Sequence, residues 1–335
     1  MDRAHKSLLS GARVYVAGHT GLAGSAILRR LRHENCGQVI TRTHSQLDLA
    51  NQVSVQDFFN EQKPEYVFLA AAKVGGILAN DTRPADFIYE NLAIQTHVIR
   101  AAYEAGTKRL LFLGSSCIYP RDSPQPIREE YLLTGPLEKT NRSYAVAKIA
   151  GIEMCWAFNR QYGTRFLAVM PSNLYGPNDN YDLATAHVLA ALLRKTHEAK
   201  RDGKLEVPVW GTGAARREFL HSDDMADACV FLMNLEKARF DALAISEHEP
   251  PSINVGCGTD FSIAELTELI RNVVGFKGRF VFDTSKPDGT PQKLLDVSSL
   301  KQLGWSAQIV LREALALVYE AYATENSRRH AVTHC

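Results

Sequence analysis

Short apolar segments alternate with longer amphipathic segments along the first half of the chain. The apolar segments predict strands over residues 13–17, 38–41, 66–72 and 109–113. The amphipathic segments predict helices over residues 25–32, 53–61, 85–105 and 143–162. Continuous apolar strands that alternate with helices are typical of βαβ units around a buried parallel sheet. The pattern therefore predicts an α/β fold with a Rossmann-type doubly wound parallel sheet.

The pattern changes after residue 170, where Pro and Gly interrupt it. Turn-rich stretches occupy residues 171–177, 207–213 and 285–291. We expect a nucleotide-binding domain over residues 1–170 and a smaller α/β lobe, mainly over 171–325, that binds the substrate. We also expect an amphipathic helix over about 217–235, and we expect the segment 217–245 that contains it to pack back onto the first domain. The polar end, 326–335, is expected to fray.

Composition and charge exclude several classes of protein. Of the 335 residues, 45% are hydrophobic and 22% are charged, an ordinary balance for a globular chain. Lys and Arg number 38 against 37 Asp and Glu, so no net field draws the protein to nucleic acid or an anionic membrane. No apolar run approaches the roughly 20 residues that span a bilayer. Any attraction for an anionic ligand must come from a local site.

The cysteines and the N-terminus bear on the compartment. Six cysteines without a C-x-x-C pair fit neither a disulfide framework nor a zinc site. The polar first residues lack the apolar core of a signal peptide. We therefore expect a cytoplasmic protein that has no metal site and no membrane or nucleic-acid partner.

A glycine-rich loop links the first predicted strand to the first predicted helix. It consists of Gly18, His19, Thr20, Gly21, Leu22, Ala23 and Gly24. Glycines are needed where the chain turns sharply, where the backbone approaches a pyrophosphate and where the helix packs tightly on the strand. The start of the helix then offers free N–H groups to the phosphates. A glycine pattern alone is weak, but its strand–loop–helix context predicts a dinucleotide site.

The end of the second predicted strand bears on which dinucleotide is bound. NAD sites usually place a carboxylate there, whereas NADP sites supply a cation for the 2′-phosphate. Here Arg42 and His44 occupy that position, and the first carboxylate is Asp48. We therefore predict NADP, with Asp48 and Leu49 near the adenine. The alternative is that Arg42 and His44 are solvated surface cations.

Tyr144 and Lys148 stand four residues apart, on one face of a predicted helix. A tyrosine with a pKa of about 10 is a poor acid–base catalyst near neutrality. A nearby lysine and the charge of an oxidised nicotinamide would bring its pKa towards the working range. Such pairs are common on helices. Ser115, at the end of a predicted strand, makes the catalytic interpretation the stronger one.

Together these motifs resemble the extended short-chain dehydrogenase/reductase family over nearly the whole chain. The sequence is most similar to one branch, whose members use NADPH for 3,5-epimerisation and 4-reduction of GDP-4-keto-6-deoxy-D-mannose to GDP-L-fucose. The segments that carry this similarity are residues 70–77, 113–120, 173–177, 217–221 and 285–291. The resemblance also implies a homodimer joined through the helices predicted over 85–105 and 143–162.

By this resemblance, Cys117 is the base and His187 the acid that epimerise C3 and C5. Tyr144 protonates O4 during reduction, Ser115 hydrogen-bonds the carbonyl, and Lys148 orients the ribose. Most lone cysteines are buried apolar residues, and a lone helical histidine is usually structural. Cys117 differs from the other cysteines because it follows Ser115 by two residues.

The resemblance implies further contacts to both ligands. The additional cofactor-binding residues are Leu113, Gly114, Ser115, Ser116, Lys148, Pro171, Ser172, Asn173, Leu174 and His187. The substrate-binding residues are Lys195, Trp210, Arg217 and Asp288. Each of the latter four can instead be a surface or core residue, and the neighbouring cations Arg194, Arg216 and Lys293 leave the choice of phosphate contact open. We expect His221 to be a packing residue.

Several rival functions remain open at the level of sequence. The enzyme can act on a related GDP-4-keto sugar, of the colitose or deoxyheptose type, or reduce C4 without epimerising. A 4,6-dehydratase would place an acidic pair where this chain has Ser116 and Cys117. A simple 4-epimerase is a further rival. A regulatory protein that senses NADP would be expected to have lost some of Ser115, Tyr144 and Lys148, which are all intact.

Overall fold

The first half of the chain forms parallel strands joined by helices, as predicted. The computed structural model describes residues 7–286 and 288–332. The elements of the first half are β1 (Arg13–Ala17), α1 (Leu22–Leu31), β2 (Gln38–Ile40), α2 (Gln52–Gln62), β3 (Tyr66–Leu69), α3 (Ile77–Thr82), α4 (Pro84–Glu104), β4 (Arg109–Leu113), α5 (Arg142–Tyr162) and β5 (Phe166–Pro171). The strands β3, β4 and β5 are buried along their whole length, which is why they read as continuous apolar runs.

The second half of the chain mixes short strands with helices. Its elements are β6 (Asn173–Tyr175), α6 (Val188–Arg201), β7 (Glu206–Trp210), β8 (Arg216–His221), α7 (Ser222–Met233), α8 (Lys237–Ala244), β9 (Ser252–Val255), β10 (Asp260–Ser262), α9 (Ile263–Val274), β11 (Arg279–Asp283), β12 (Gln292–Lys293), α10 (Ser298–Gln302) and α11 (Leu311–Val332). The strand β8 pairs with β6, β10 and β12, and β7 pairs with β11.

The predicted doubly wound sheet is confirmed. Six strands pair in parallel in the order β2-β1-β3-β4-β5-β9. The chain moves outward from β1 to β2 and then crosses back past β1 to β3. Ligands of open α/β sheets bind in the crevice at the carboxyl ends of the strands, where the strand order reverses. The glycine loop after β1 lies at this point.

The prediction of a helix over about 217–235 is wrong for residues 217–221. Residues Arg216–His221 form β8, and the helix α7 begins at Ser222. The last four residues of β8 are buried between neighbouring strands, and this sheet pairing overrides the local helical pattern. The ring of His221 is a satisfied structural group, because its Nδ1 accepts a hydrogen bond from the Asp223 N–H at 3.2 Å.

The helix α7 packs on α1, a helix that lies against the six-stranded sheet. Arg29 pairs with Asp223 at 2.5 Å and Arg30 with Asp227 at 2.6 Å, beside a shared apolar core. The strand β9, from the part of the chain that we assigned mainly to the second lobe, joins the first sheet because its apolar residues are buried beside β5. The division into two domains stays a prediction.

The C-terminal segment 326–335 was expected to fray, but its described part is helical. The helix α11 continues through residues 326–332, since no Gly or Pro stops it, and the Asn326 side chain lies 3.3 Å from His197. Residues 333–335 lie outside the described part. Within residues 7–286 and 288–332, no helix has the length and apolarity to cross a membrane, and no three His, Cys, Asp or Glu side chains converge as a metal site.

Candidate active site

The glycine loop brings the backbone of α1 within reach of an anion. Gly18 has φ +83°, and a Cβ there would lie 2.7 Å from the Cα of Ala71. A Cβ on Gly24 would overlap the backbone of Gly18. Among the described residues, no side chain caps the start of α1 at Gly21. The first N–H groups of the helix are therefore available, and the loop fits the pyrophosphate of a dinucleotide.

Arg42 is the better placed of the two cations predicted to select NADP. Its guanidinium is half-buried, donates to the Thr41 carbonyl at 2.8 Å and lies 5.4 Å from the centre of the Phe58 ring. His44 is exposed, with its Nδ1 3.9 Å from Asp48. A planar guanidinium that is already oriented suits a phosphate. Leu49, also predicted near the adenine, is buried.

Replacing Arg42 by alanine should raise the KM for NADPH by about 10- to 100-fold, because a hydrogen bond to a charged group contributes roughly 1.5–3 kcal/mol. The KM for NADH should change little. The measurement is a pair of steady-state titrations, with His44→Ala as the matched control. An unchanged preference for NADPH in Arg42→Ala, together with a lost preference in His44→Ala, would assign the 2′-phosphate to the histidine instead.

Further predicted cofactor contacts line the carboxyl ends of β4 and β5. Gly114 donates to the Val169 carbonyl at 2.8 Å. The hydroxyl of Ser172 is buried and has no hydrogen-bond partner in the described part of the chain. Such an unpaired group fits a hydrogen bond to a bound cofactor. The other residues predicted there are Leu113, Ser116, Pro171, Asn173 and Leu174, all buried or half-buried.

Ser115, Tyr144 and Lys148 lie together at the end of β4. The Ser115 hydroxyl accepts from the Cys117 N–H at 3.2 Å and hydrogen-bonds Tyr144. The ammonium of Lys148 is buried, donates to the Leu113 carbonyl at 2.7 Å and lies 5.9 Å from the centre of the Tyr144 ring. The helix α5 thus brings both members of the predicted pair to the strand end that carries Ser115.

The protein alone favours the protonated form of Tyr144. Burial raises the pKa of the phenol above its usual value, the charge of Cys117 raises it further, and the hydrogen bond from Ser115 opposes both. The sequence predicted that Lys148 would lower this pKa, but the ammonium is held at the Leu113 carbonyl. Burial also lowers the pKa of Lys148 to about 7. Tyr144 is therefore ready to donate a proton.

Cys117 lies in a short turn (Ser116–Ile118) directly after Ser115. The ammonium of Lys293 donates to its Sγ at 3.3 Å. Burial alone would raise the pKa of the thiol, but Lys293, the hydrogen bond with Ser115 and the charge of Arg217 together bring this pKa below its usual value. The surroundings therefore make this thiol easier to ionise than an ordinary cysteine, and the thiolate is the form that can act as a base.

His187 stands directly before α6 as its N-cap residue, as predicted. The residue keeps exposed surface, but surrounding protein atoms partly shield its ring from water, and this burial, together with the charge of Lys293, lowers the pKa of His187. Lys293 thus acts on Cys117 and on His187, so the two predicted epimerisation residues face a common cation. The sequence identified Lys293 only as one of several neighbouring cations. No local motif indicates its contact with a cysteine 176 residues away.

The predicted substrate-binding residues differ in whether their polar side chains already have hydrogen-bond partners within the protein. The Arg217 guanidinium donates to the Arg216 and Asp288 carbonyls at 2.7 and 3.2 Å, and burial lowers its pKa. The Asp288 carboxylate accepts from the Thr212 N–H and hydroxyl at 2.8 and 2.9 Å. Asp288 therefore holds the loop after Trp210 in place, and its contact with substrate stays a prediction.

Trp210 and Lys195 present the other predicted contacts. The Trp210 ring is 41% exposed and lies 5.7 Å from the Lys286 ammonium. Lys195 is half-buried on α6, and burial lowers its pKa. Exposure of so large an aromatic side chain is compatible with stacking on a ligand. None of the described contacts joins Lys195 to Arg217 or to Trp210.

Comparison with known proteins agrees with this geometry. The NAD dependent epimerase/dehydratase family matches residues 14–246. A putative GDP-L-fucose synthase of Arabidopsis thaliana is 56% identical over 94% of this chain and 93% of its own. The GDP-L-fucose synthase of Escherichia coli is 50% identical over 96% and 99%.

A solved structure is similar as well. A GDP-mannoheptose C4 reductase from Campylobacter jejuni with NADP bound is 42% identical, with a TM-score of 0.84, over 93% of this chain and 98% of its own. The two relatives and this structure each match at least 93% of the chain, and the family match includes the glycine loop and the ends of β4 and β5. The chain belongs to the NAD dependent epimerase/dehydratase family.

Proposed function

We propose that this protein is an NADP-dependent epimerase and reductase that converts GDP-4-keto-6-deoxy-D-mannose to GDP-L-fucose. The observation that carries the proposal is the contact of Lys293 with Cys117, beside the group of Ser115, Tyr144 and Lys148. A plain reductase needs only the latter three residues. Two GDP-L-fucose synthases at 50% identity or more support the GDP-sugar as substrate.

Epimerisation uses the acidity of the protons on C3 and C5, which flank the C4 carbonyl. One group must remove a proton, and another must return one from the opposite face. Cys117 acts as the base in its thiolate form. His187 returns the proton, and the negative charges of the diphosphate and of the enolate favour protonation of its ring. Ser115 donates a hydrogen bond to the carbonyl oxygen, where charge develops.

Reduction of C4 then uses the remaining residues. NADPH, when bound, supplies the hydride. Tyr144 donates its proton to O4, since its surroundings favour the protonated phenol. Lys148 holds the ribose, and Arg217, Lys195 and Trp210 bind the GDP portion.

The proposal is tested by incubating the wild-type protein with GDP-4-keto-6-deoxy-D-mannose in D₂O, with and without NADPH. We expect deuterium at C3 and C5 in both tubes, and GDP-L-fucose only with NADPH. Oxidation of NADPH without exchange would identify a 4-reductase that does not epimerise. This second function is favoured by one observation, the 42% identity to a C4 reductase.

The same assay separates the other rivals. Turnover of a GDP-colitose or GDP-deoxyheptose precursor, without turnover of the mannose derivative, would change the substrate but not the chemistry. A 4,6-dehydratase would release water from GDP-mannose, but Ser116 and Cys117 stand where its acidic pair would be. A simple 4-epimerase would invert the C4 hydroxyl of a GDP-hexose, by oxidation and re-reduction on one bound cofactor, and would give no net reduction of the 4-keto sugar.

We also propose a cytoplasmic homodimer. The helices α4 and α5 pack on each other, and Tyr89, Val146 and Tyr162 leave apolar surface exposed on them. Light scattering at micromolar concentration should give twice the mass of one chain, and Val146→Asp should reduce it. A single-chain mass for the wild type would contradict the dimer.

The cytoplasmic location is supported by the cysteines. The described cysteines are all free thiols, the state that a reducing compartment maintains.

A further inference from the structure

The contact of Lys293 with Cys117 supports the proposed function, but none of the steps described so far says what Lys293 does. It belongs to the two-residue strand β12, which pairs with β8 so that Lys293 lies opposite Arg217. Its ammonium is within 3.3 Å of the Cys117 Sγ. A flexible lysine side chain loses rotamer freedom when it holds one partner, so such a contact requires a well-fixed backbone.

The loop that follows Cys117 fixes this backbone on one side. The Gln125 amide donates to the Gln292 carbonyl at 3.2 Å and accepts from the Leu294 N–H at 2.9 Å, so it brackets Lys293. The Ile127 N–H donates to the Leu294 carbonyl at 2.7 Å. The segment that carries Lys293 is thereby joined to the segment that carries Cys117.

A buried carboxylate fixes the backbone on the other side. Glu218, next to Arg217 on β8, is fully buried. Its two oxygens accept from the Leu295 N–H at 2.9 Å and from the Gly258 N–H at 2.6 Å. A buried carboxylate with two backbone donors is costly to disturb. Glu218 therefore holds the chain two residues after Lys293 against the strand that bears Arg217.

We propose that Lys293 is a positioning residue for epimerisation, which keeps Cys117 as a thiolate and fixes its Sγ before the substrate binds. This inference rests on the proposed function. In the step that it serves, the thiolate takes a proton from C3 or C5 and becomes a thiol, while the electrons of the C–H bond enter the enolate. Lys293 acts through Cys117 and transfers no proton.

The other polar groups near Cys117 do not replace Lys293. Arg217 lowers the pKa of Cys117, but its hydrogen bonds go to two carbonyl oxygens and none of its described hydrogen bonds reaches the Sγ. Ser115 bonds the Cys117 N–H, and Tyr144 is protonated. Burial and the charge of Lys293 both disfavour the cationic form of His187. Lys293 is thus the cation that directly contacts the sulfur.

The test is the titration of Cys117 in the protein without substrate. Thiolate absorbance at 240 nm and the rate of alkylation by iodoacetamide are followed against pH in wild type, Lys293→Met and Lys293→Arg. Cys117→Ser supplies the background of the other cysteines. We expect Lys293→Met to raise the pKa of Cys117 by about one to three units, the size of shift that one close opposite charge produces. Lys293→Arg keeps the positive charge and should bring the pKa of Cys117 back close to the wild-type value.

Deuterium exchange with the 4-keto sugar completes the test. At pH 7 the exchange rate of Lys293→Met should fall, by up to about tenfold for each unit of the shift, and recover at higher pH. An unchanged Cys117 titration in a folded Lys293→Met protein would overturn the inference. If the titration shifts but wild type shows no exchange, the thiolate pairing stands and the proposed epimerisation fails. A loss of exchange that no pH restores and that Arg does not rescue would make Lys293 a substrate contact instead.

Discussion

Cys117→Ser should lose deuterium exchange at C3 and C5 by about 10²- to 10⁴-fold, the usual contribution of a general base. A serine hydroxyl cannot be ionised near neutrality by one neighbouring ammonium, whereas the Cys117 thiol has a lowered pKa beside Lys293. The side chains are nearly the same size, so the fold should be kept. Exchange is measured by NMR in D₂O, without NADPH.

A matched control separates this effect from general damage. Cys36→Ser changes a half-buried cysteine that packs on the core of the first sheet, outside the groups that contact Cys117. Its exchange rate should equal that of wild type. Exchange at both carbons at the wild-type rate in Cys117→Ser would remove the cysteine from the mechanism. Loss at one carbon alone would divide the two epimerisations between Cys117 and another base.

Tyr144→Phe should lower the rate of NADPH oxidation by about 10²- to 10⁴-fold while exchange at C3 and C5 continues, because the phenol donates a proton only in the reduction step. The raised pKa of Tyr144 also predicts how the reduction rate depends on pH. Since the active form is protonated, the reduction rate of the wild type should not fall on account of Tyr144 until the pH exceeds the usual value of 10. Stopped-flow absorbance at 340 nm measures the rate.

Two further measurements make this prediction specific to Tyr144. Binding of NADPH, followed by its fluorescence, should be unchanged in Tyr144→Phe, because the ring and its contact with Phe87 are kept. Lys148→Met should instead weaken NADPH binding as well as reduction. An equal loss of exchange and reduction in Tyr144→Phe would mean that the tyrosine also takes part in epimerisation.

Much of the fold and part of the site followed from local patterns. The bounds of β1 and β4 agree with the prediction, and α4 and α5 agree to within one residue at each end. These elements are buried in the sheet or against it, so their apolar patterns are strong. The glycine loop was equally clear, because its conformation demands residues without a Cβ at fixed spacings.

Other features needed contacts that no local pattern contains. β8 was taken for the start of a helix, because its pairing partners lie far away in the chain. β9 joined the first sheet for the same reason. The contact of the Asp288 carboxylate with Thr212, 76 residues away, was likewise not visible in the sequence. In each case the partner, and not the segment itself, decides the outcome.

The sequence by itself determined that a dinucleotide loop, a Ser–Tyr–Lys group and a cysteine beside the serine follow one another in a doubly wound sheet. Each of these depends on residues within a few positions of one another, or on strand ends that a parallel sheet must bring to one edge. Only the tertiary structure showed what lowers the pKa of Cys117. That property depends on Lys293, which a short strand held by Gln125 and Glu218 brings to the sulfur.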